Sequence, residues 1–130
     1  MIIDTSALIA VFKNEPGSAA VSRALEQATT VRISAATLVE LTAVLVGRQR
    51  PDAHERMRRY LDALRVETVP FDAEQAAIAQ RAYRDYGRGS GSRARLNLGD
   101  CYSYALATAK REPLLYVGDD FSHTDIPSVL

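Results

Sequence analysis

Tryptophan is absent from the 130 residues, and cysteine occurs once, as Cys101. A single thiol excludes an internal disulfide. With only two histidines beside it, the chain also lacks the ligands of a structural zinc site. Cys101 falls in an apolar helical pattern and reads as a small core residue rather than a nucleophile. No apolar run approaches the roughly 18 residues that a membrane span needs. The opening Met1-Ile2-Ile3-Asp4 has no basic segment of the kind that begins a signal peptide. The expectation is a cytoplasmic protein with no membrane partner. An excess of charge of either sign is missing too: Lys+Arg and Asp+Glu stand at 16 each, so the overall basicity of many nucleic-acid binders is lacking.

Distribution matters more than the sum. Arginine concentrates in two stretches, Arg48, Arg50, Arg56, Arg58 and Arg59, then Arg88, Arg93 and Arg95. Either can hold a phosphate backbone. The first reads equally well as a solvated helix face. At 47% hydrophobic and 25% charged residues, the composition is that of an ordinary globular protein. Residues 1–130 are expected to form a single domain.

Periodicity predicts alternating strands and helices. Met1 to Asp4 is a short buried strand, followed by a helix from Ala7 to Lys13 that Thr5 or Ser6 can cap. Asn14-Glu15-Pro16-Gly17 breaks it, and Ser18 to Gln27 is helical again. Thr30 to Ser34 is a second strand, then Ala35 to Arg48 a helix with Leu38, Leu41, Val44 and Leu45 on one face. Pro51 opens a further helix, as a first-turn residue, that runs to Leu64. Val66 to Pro70 is a third strand, and Asp72 caps a helix ending at Tyr86. Gly87 to Ser92 has the composition of a flexible loop. Leu98 to Lys110 is a strongly apolar helix, Leu114 to Val117 a fourth strand, and Ile126 to Leu130 a short last one. The fold class is therefore α/β, with a mainly parallel sheet of four to five strands covered on both faces. In such sheets sites form beyond the carboxyl ends of strands.

Four acidic positions stand out. Asp4 ends the first strand next to core, where a carboxylate is costly unless compensated. Glu40 lies in an apolar helix, near the edge of its buried face. Asp100 opens a helix that is apolar nearly all round, after Gly99, whose missing side chain allows close approach. Asp119 and Asp120 follow the fourth strand and Gly118. Each has a plain alternative: a helix cap at Asp4 and Asp100, a boundary residue at Glu40, a turn at Asp119 and Asp120. Together they describe a carboxylate cluster, which needs cations to hold its charges close. Hard oxygen ligands suit Mg²⁺ or Mn²⁺, ions that activate water and neutralise a phosphodiester's developing charge.

The blocks that carry these acids resemble those of the VapC family of PIN domains. Met-Ile-Ile-Asp-Thr-Ser-Ala-Leu-Ile-Ala is similar to the family's start, and Ser-Ala-Ala-Thr-Leu-Val-Glu-Leu to its second motif. Leu-Asn-Leu-Gly-Asp-Cys-Tyr-Ser-Tyr-Ala-Leu-Ala is similar to the third. Leu-Leu-Tyr-Val-Gly-Asp-Asp-Phe, with the tail Ser-His-Thr-Asp-Ile, resembles the closing one. The resemblance implies a PIN-like three-layer α/β/α fold and a Mg²⁺-dependent endoribonuclease, with Mn²⁺ able to substitute. It also implies the toxin of a type II toxin–antitoxin module, restrained by a VapB-type antitoxin and forming a homodimer. Asp4, Glu40, Asp100 and Asp119 would then line the metal site, with Thr5 or Ser6 supporting Asp4 and the attacking water. Many relatives carry the fourth acid where this chain has Gly118, which leaves Asp119 and Asp120 as candidates, Asp119 being nearer the strand. Two other readings compete. A haloacid-dehalogenase-like phosphatase also begins strand-Asp, yet wants a second Asp where this chain has Ser6. A PIN-like binding module would act without catalysis.

Overall fold

The computed structural model describes residues 1–46 and 51–130. Arg48 and Arg50, and the expected end of the helix at Arg48, lie outside the described residues. The strands are short: β1 (Ile2–Ile3), β2 (Arg32–Ser34), β3 (Glu67–Val69) and β4 (Leu114–Leu115). They form one sheet in the order β3-β2-β1-β4, with every pairing parallel. Ile2 sits opposite Arg32 on one side and Leu114 on the other, so the register is centred on the first strand.

Alternation along β1 and β4 divides the core into two layers. Ile2 and Leu114 face a cluster with Ile78, Ala82, Leu96 and Leu106, whereas Ile3 and Leu115 face Leu8, Val21, Leu41 and Met57. Successive strand residues point to opposite faces, so two residues per strand suffice to join both layers. The first layer is supplied by α5 (Ala73–Tyr86) and α6 (Leu98–Lys110). The second is supplied by α1 (Thr5–Phe12), α2 (Ser18–Gln27), α3 (Ala35–Val46) and α4 (Ala53–Ala63). This is the expected α/β/α arrangement, with a sheet of four strands. No helix among the described residues is long and apolar enough to cross a membrane.

Three local expectations need correction. The cap of α1 is Asp4, the alternative reading of that acid, rather than Thr5 or Ser6: its side chain accepts from the Ser6 N–H at 2.9 Å, and the helix begins at Thr5. Pro51 precedes the helix instead of opening it, because Asp52 takes the cap position of α4. The tail at Ile126 to Leu130 is no strand but a single bridge between Leu114 and Ser128. Its Leu114 partners are the Pro127 carbonyl and the Val129 N–H, and Pro127 has no N–H with which to extend the ladder. The glycine-rich segment has tied ends: Arg88 N–H donates to the Leu96 carbonyl, and Leu96 N–H to that of Tyr86.

Leu106 is fully buried between α6 and the sheet. Leu106→Ala is expected to destabilise the protein by about 2–5 kcal/mol, seen as a lower urea midpoint at unchanged slope. A cost below about 1 kcal/mol would contradict this packing.

Candidate active site

Parallel strands all present their carboxyl ends at one edge of the sheet, and β1 ends there on Asp4. Asp4 is 3% exposed, yet its carboxylate is well supplied with donors. Oδ2 accepts from the Ser6 N–H at 2.9 Å and from the Ser6 hydroxyl at 2.7 Å, and Oδ1 accepts from the Ser103 hydroxyl at 2.6 Å. Ser6 Oγ in turn accepts from the Val117 N–H at 3.1 Å, which ties this corner to the segment after β4. A buried carboxylate is tolerable on such terms because each of its oxygens is matched by a charge-assisted hydrogen bond.

Asp100 reaches the same edge from α6. Asn97 caps that helix, its side chain accepting from the Asp100 N–H at 2.9 Å, while Asp100 Oδ2 accepts from the Asn97 N–H at 2.8 Å. This reciprocal box fixes the carboxylate by one oxygen. Oδ1 accepts no hydrogen bond among the described residues. Ser103, one turn further along α6, points the same way, which is why Asp100 and the Ser103 support of Asp4 lie together.

Glu40 comes from α3. Thr5 Oγ1 donates to Glu40 Oε2 at 2.9 Å, so the first two residues of α1 serve two different carboxylates: Thr5 holds Glu40 and Ser6 holds Asp4. The opposite wall is Gly99. A Cβ built there would fall on the Glu40 carboxylate, far inside contact distance. The close approach expected from Gly99 is therefore real, and its partner is Glu40.

The electrostatics record the crowding. Burial pushes the Asp100 pKa from 3.8 up to about 7, against the lowering effect of the Asn97 hydrogen bond, and the charges of Asp4, Asp120 and Glu40 push the same way. Burial also raises Glu40, the Thr5 hydrogen bond lowers it, and the charge of Asp4 raises it again. Asp4, Glu40, Asp100 and Asp120 thus form one interacting set. Asp119 occupies the cap position of a short 3-10 helix, Asp120–His123, with no side-chain cap hydrogen bond. Gly118 has φ 108°, a backbone conformation that L residues adopt only under strain, so an acid at that position would not fit this turn.

The donor set is all oxygen and suits a hard divalent cation. Among the described residues no three His, Cys, Asp or Glu side chains stand close enough to ligate one ion directly. The sequence reading missed Ser103, Asn97 and Thr37, whose hydroxyl lies 3.3 Å from Ser103 Oγ. The signal for Ser103 was its spacing of three from Asp100.

A PIN domain profile matches residues 1–127. Ribonuclease VapC42 of Mycobacterium tuberculosis is 52% identical over 126 residues, 97% of this chain and 96% of its own length. The chain belongs to the PIN-domain family, among its VapC ribonucleases. Ribonuclease VapC28 of the same organism is 43% identical over 130 residues, covering 100% of this chain and 98% of the relative. Among solved structures, that of M. tuberculosis VapC20, described as a sarcin–ricin-loop-cleaving toxin, aligns with TM-score 0.76 at 18% identity. It covers 98% of this chain and 97% of that one. A toxin–antitoxin complex from Klebsiella pneumoniae gives TM-score 0.68 at 23% identity, over 95% of this chain and 92% of that one. These structures bear out the PIN fold, and the family assignment sets aside the phosphatase reading.

Two outcomes follow from the PIN site geometry. Gly99→Ala is expected to displace Glu40 and reduce RNA cleavage at least tenfold, with the fold retained in circular dichroism; unchanged cleavage would contradict the contact. The second concerns pH. Asp100 is protonated more readily in the folded protein than in the unfolded chain. Its favourable contribution is full below pH 3.8 and is lost as pH rises through about 7. The cation-free protein is therefore expected to melt lower toward pH 8, and Asp100→Asn to flatten that decline. A steeper decline in Asp100→Asn would reverse the assignment.

Proposed function

We propose that this chain works as one PIN domain, a divalent-metal-dependent endoribonuclease that is the toxin of a toxin–antitoxin module in the cytoplasm. The observation that carries the reading is the convergence of buried, like-charged carboxylates at the carboxyl edge of a parallel sheet. Asp100 has an uncommitted oxygen there, and no cationic side chain lies within ion-pair distance of Asp4, Glu40 or Asp100 among the described residues. Such a cluster favours binding of positive charge.

Asp4 and Asp100 would be the principal holders of Mg²⁺ (Mn²⁺ can replace it), with Glu40 and a fourth acid acting directly or through waters. The cation, when bound, lowers the pKa of its water and offsets charge developing on the phosphodiester. The chain's own residues do the positioning. Ser6 and Ser103 fix the plane of the Asp4 carboxyl, Thr5 and the open side of Gly99 fix Glu40, and the Asn97 box fixes Asp100. For the fourth acid, Asp120 is favoured over Asp119, because its charge bears on Asp100.

Partners follow the family. Relatives solved as toxin–antitoxin complexes support a VapB-type antitoxin as the restraining partner. A homodimer is supported by the resemblance to the family and by the apolar residues that α3 leaves exposed. The inward residues Leu41, Leu45 and Met57 of α3 and α4 are buried, and α3 exposes only Val39 and Val46 among its large apolar residues.

The test is cleavage of a single-stranded RNA by purified protein. Activity is expected in Mg²⁺, none in excess EDTA, and a loss in Asp100→Asn beyond the roughly 10–100-fold typical of residues that only support a metal site. Asp120→Asn is expected to lose more than Asp119→Asn. Cleavage that survives EDTA, or an active Asp100→Asn, would refute the metal-nuclease reading.

A further inference from the structure

The two arginine stretches have different fates in the fold. In α4 the arginines are neutralised by their own helix. Arg58 bridges Glu55 at 2.9 Å and Asp62 at 2.7 Å, Arg59 meets Glu55 at 3.0 Å, and Arg56 meets Asp52 at 3.7 Å. Arg56 also lies over the Phe12 ring, 5.2 Å from its centroid. Arg88, Arg93 and Arg95 have no ion-pair partner among the described residues. All three are exposed, and with His123 they line one cleft of about 220 Å³ whose other wall is Asp119 and Asp120.

This cleft is built rather than incidental. The excursion from Arg88 to Arg95 is closed at its base by the Arg88–Leu96 and Leu96–Tyr86 backbone hydrogen bonds. Ala94, 1% exposed, plugs into the core between the two arginines and so turns both outward. Arg95 is held at φ 51°, a conformation uncommon for a residue with a side chain. Asp119 and Asp120 line the same cleft, yet neither forms an ion pair with these guanidinium groups among the described residues. One of the two, Asp120, is also among the charges that act on Asp100, so the cleft and the carboxylate set share a residue.

The geometry points to a phosphate subsite: Arg88, Arg93 and Arg95, with His123, hold a backbone phosphate of the RNA next to the one being cleaved. This rests on the ribonuclease reading and deepens it. Guanidinium groups present a planar fork of donors that matches phosphate oxygens, and an unpaired fork loses no internal ion pair on binding. The contacts are to backbone, so they place the strand and give affinity without reading its sequence.

The test is fluorescence anisotropy with a labelled single-stranded oligoribonucleotide in EDTA, where cleavage is stopped, over a series of salt concentrations. Each phosphate contact on a single strand adds about 0.7 to the slope of log K against log salt. Arg88→Ala/Arg93→Ala/Arg95→Ala is expected to weaken binding at least tenfold and lower the slope by about 0.7, the share of one phosphate. Arg56→Ala/Arg58→Ala/Arg59→Ala is expected to leave the slope unchanged. The subsite is overturned if the first triple variant keeps the wild-type slope, or if both lower it equally. It is likewise overturned if the first loses affinity only for an acidic antitoxin peptide. The nuclease reading fails separately. A wild-type protein that binds RNA with this slope but does not cleave it in Mg²⁺ removes catalysis and leaves the subsite standing.

Discussion

Several negative charges have to be kept at the edge of a core that would expel them, and much of the structure answers to that constraint. Asp4 follows two fully buried isoleucines and is itself 3% exposed. An isolated carboxylate in that position would be costly to bury. Three donors from Ser6 and Ser103 satisfy its oxygens instead. Asp100 is less well supplied, and its pKa rises to about 7. The site is thus asymmetric: one carboxylate is matched on both oxygens by the protein, the other is fixed through one oxygen.

Building that asymmetry takes elements from everywhere in the chain. Asp4 and its serine come from the β1–α1 junction, Glu40 from α3, Asp100 and Ser103 from α6, and Asp120 from the turn beyond β4. A parallel sheet makes this possible, since every strand delivers its following loop or helix to the same edge. The same edge carries the uncommitted arginines of the 88–95 segment, so opposite charges lie side by side without collapsing onto each other. On the proposed function, the acids would serve a cation and the guanidinium groups a phosphate.

Much of this was legible in the sequence, for identifiable reasons. The alternation of short β-branched runs with amphipathic helices gave the layered fold, and the acids at Asp4, Glu40 and Asp100 were each out of place in an apolar setting. Gly99 signalled a close approach, and Glu40 is what approaches. What escaped was chemistry shared between distant segments. Ser103 is an unremarked serine in an apolar helix until β1 puts Asp4 within 2.6 Å of it. The cap of α1 was misplaced because Thr5 and Ser6 have good capping side chains; their hydroxyls are engaged by carboxylates, and Asp4 caps instead. The two arginine stretches looked alike until the ion pairs along α4 separated them.

The most direct test of the central claim is the proton count of cation binding, measured by titration calorimetry of Mg²⁺ into the metal-free protein in buffers of different ionisation enthalpy. If Asp100 is a protonated carboxyl waiting for a cation, binding at about pH 6 releases close to one proton, and the release fades toward about pH 8. Asp100→Asn should then abolish the release and weaken the binding. Mg²⁺ binding with no proton release at pH 6, or undiminished binding by Asp100→Asn, would contradict the account.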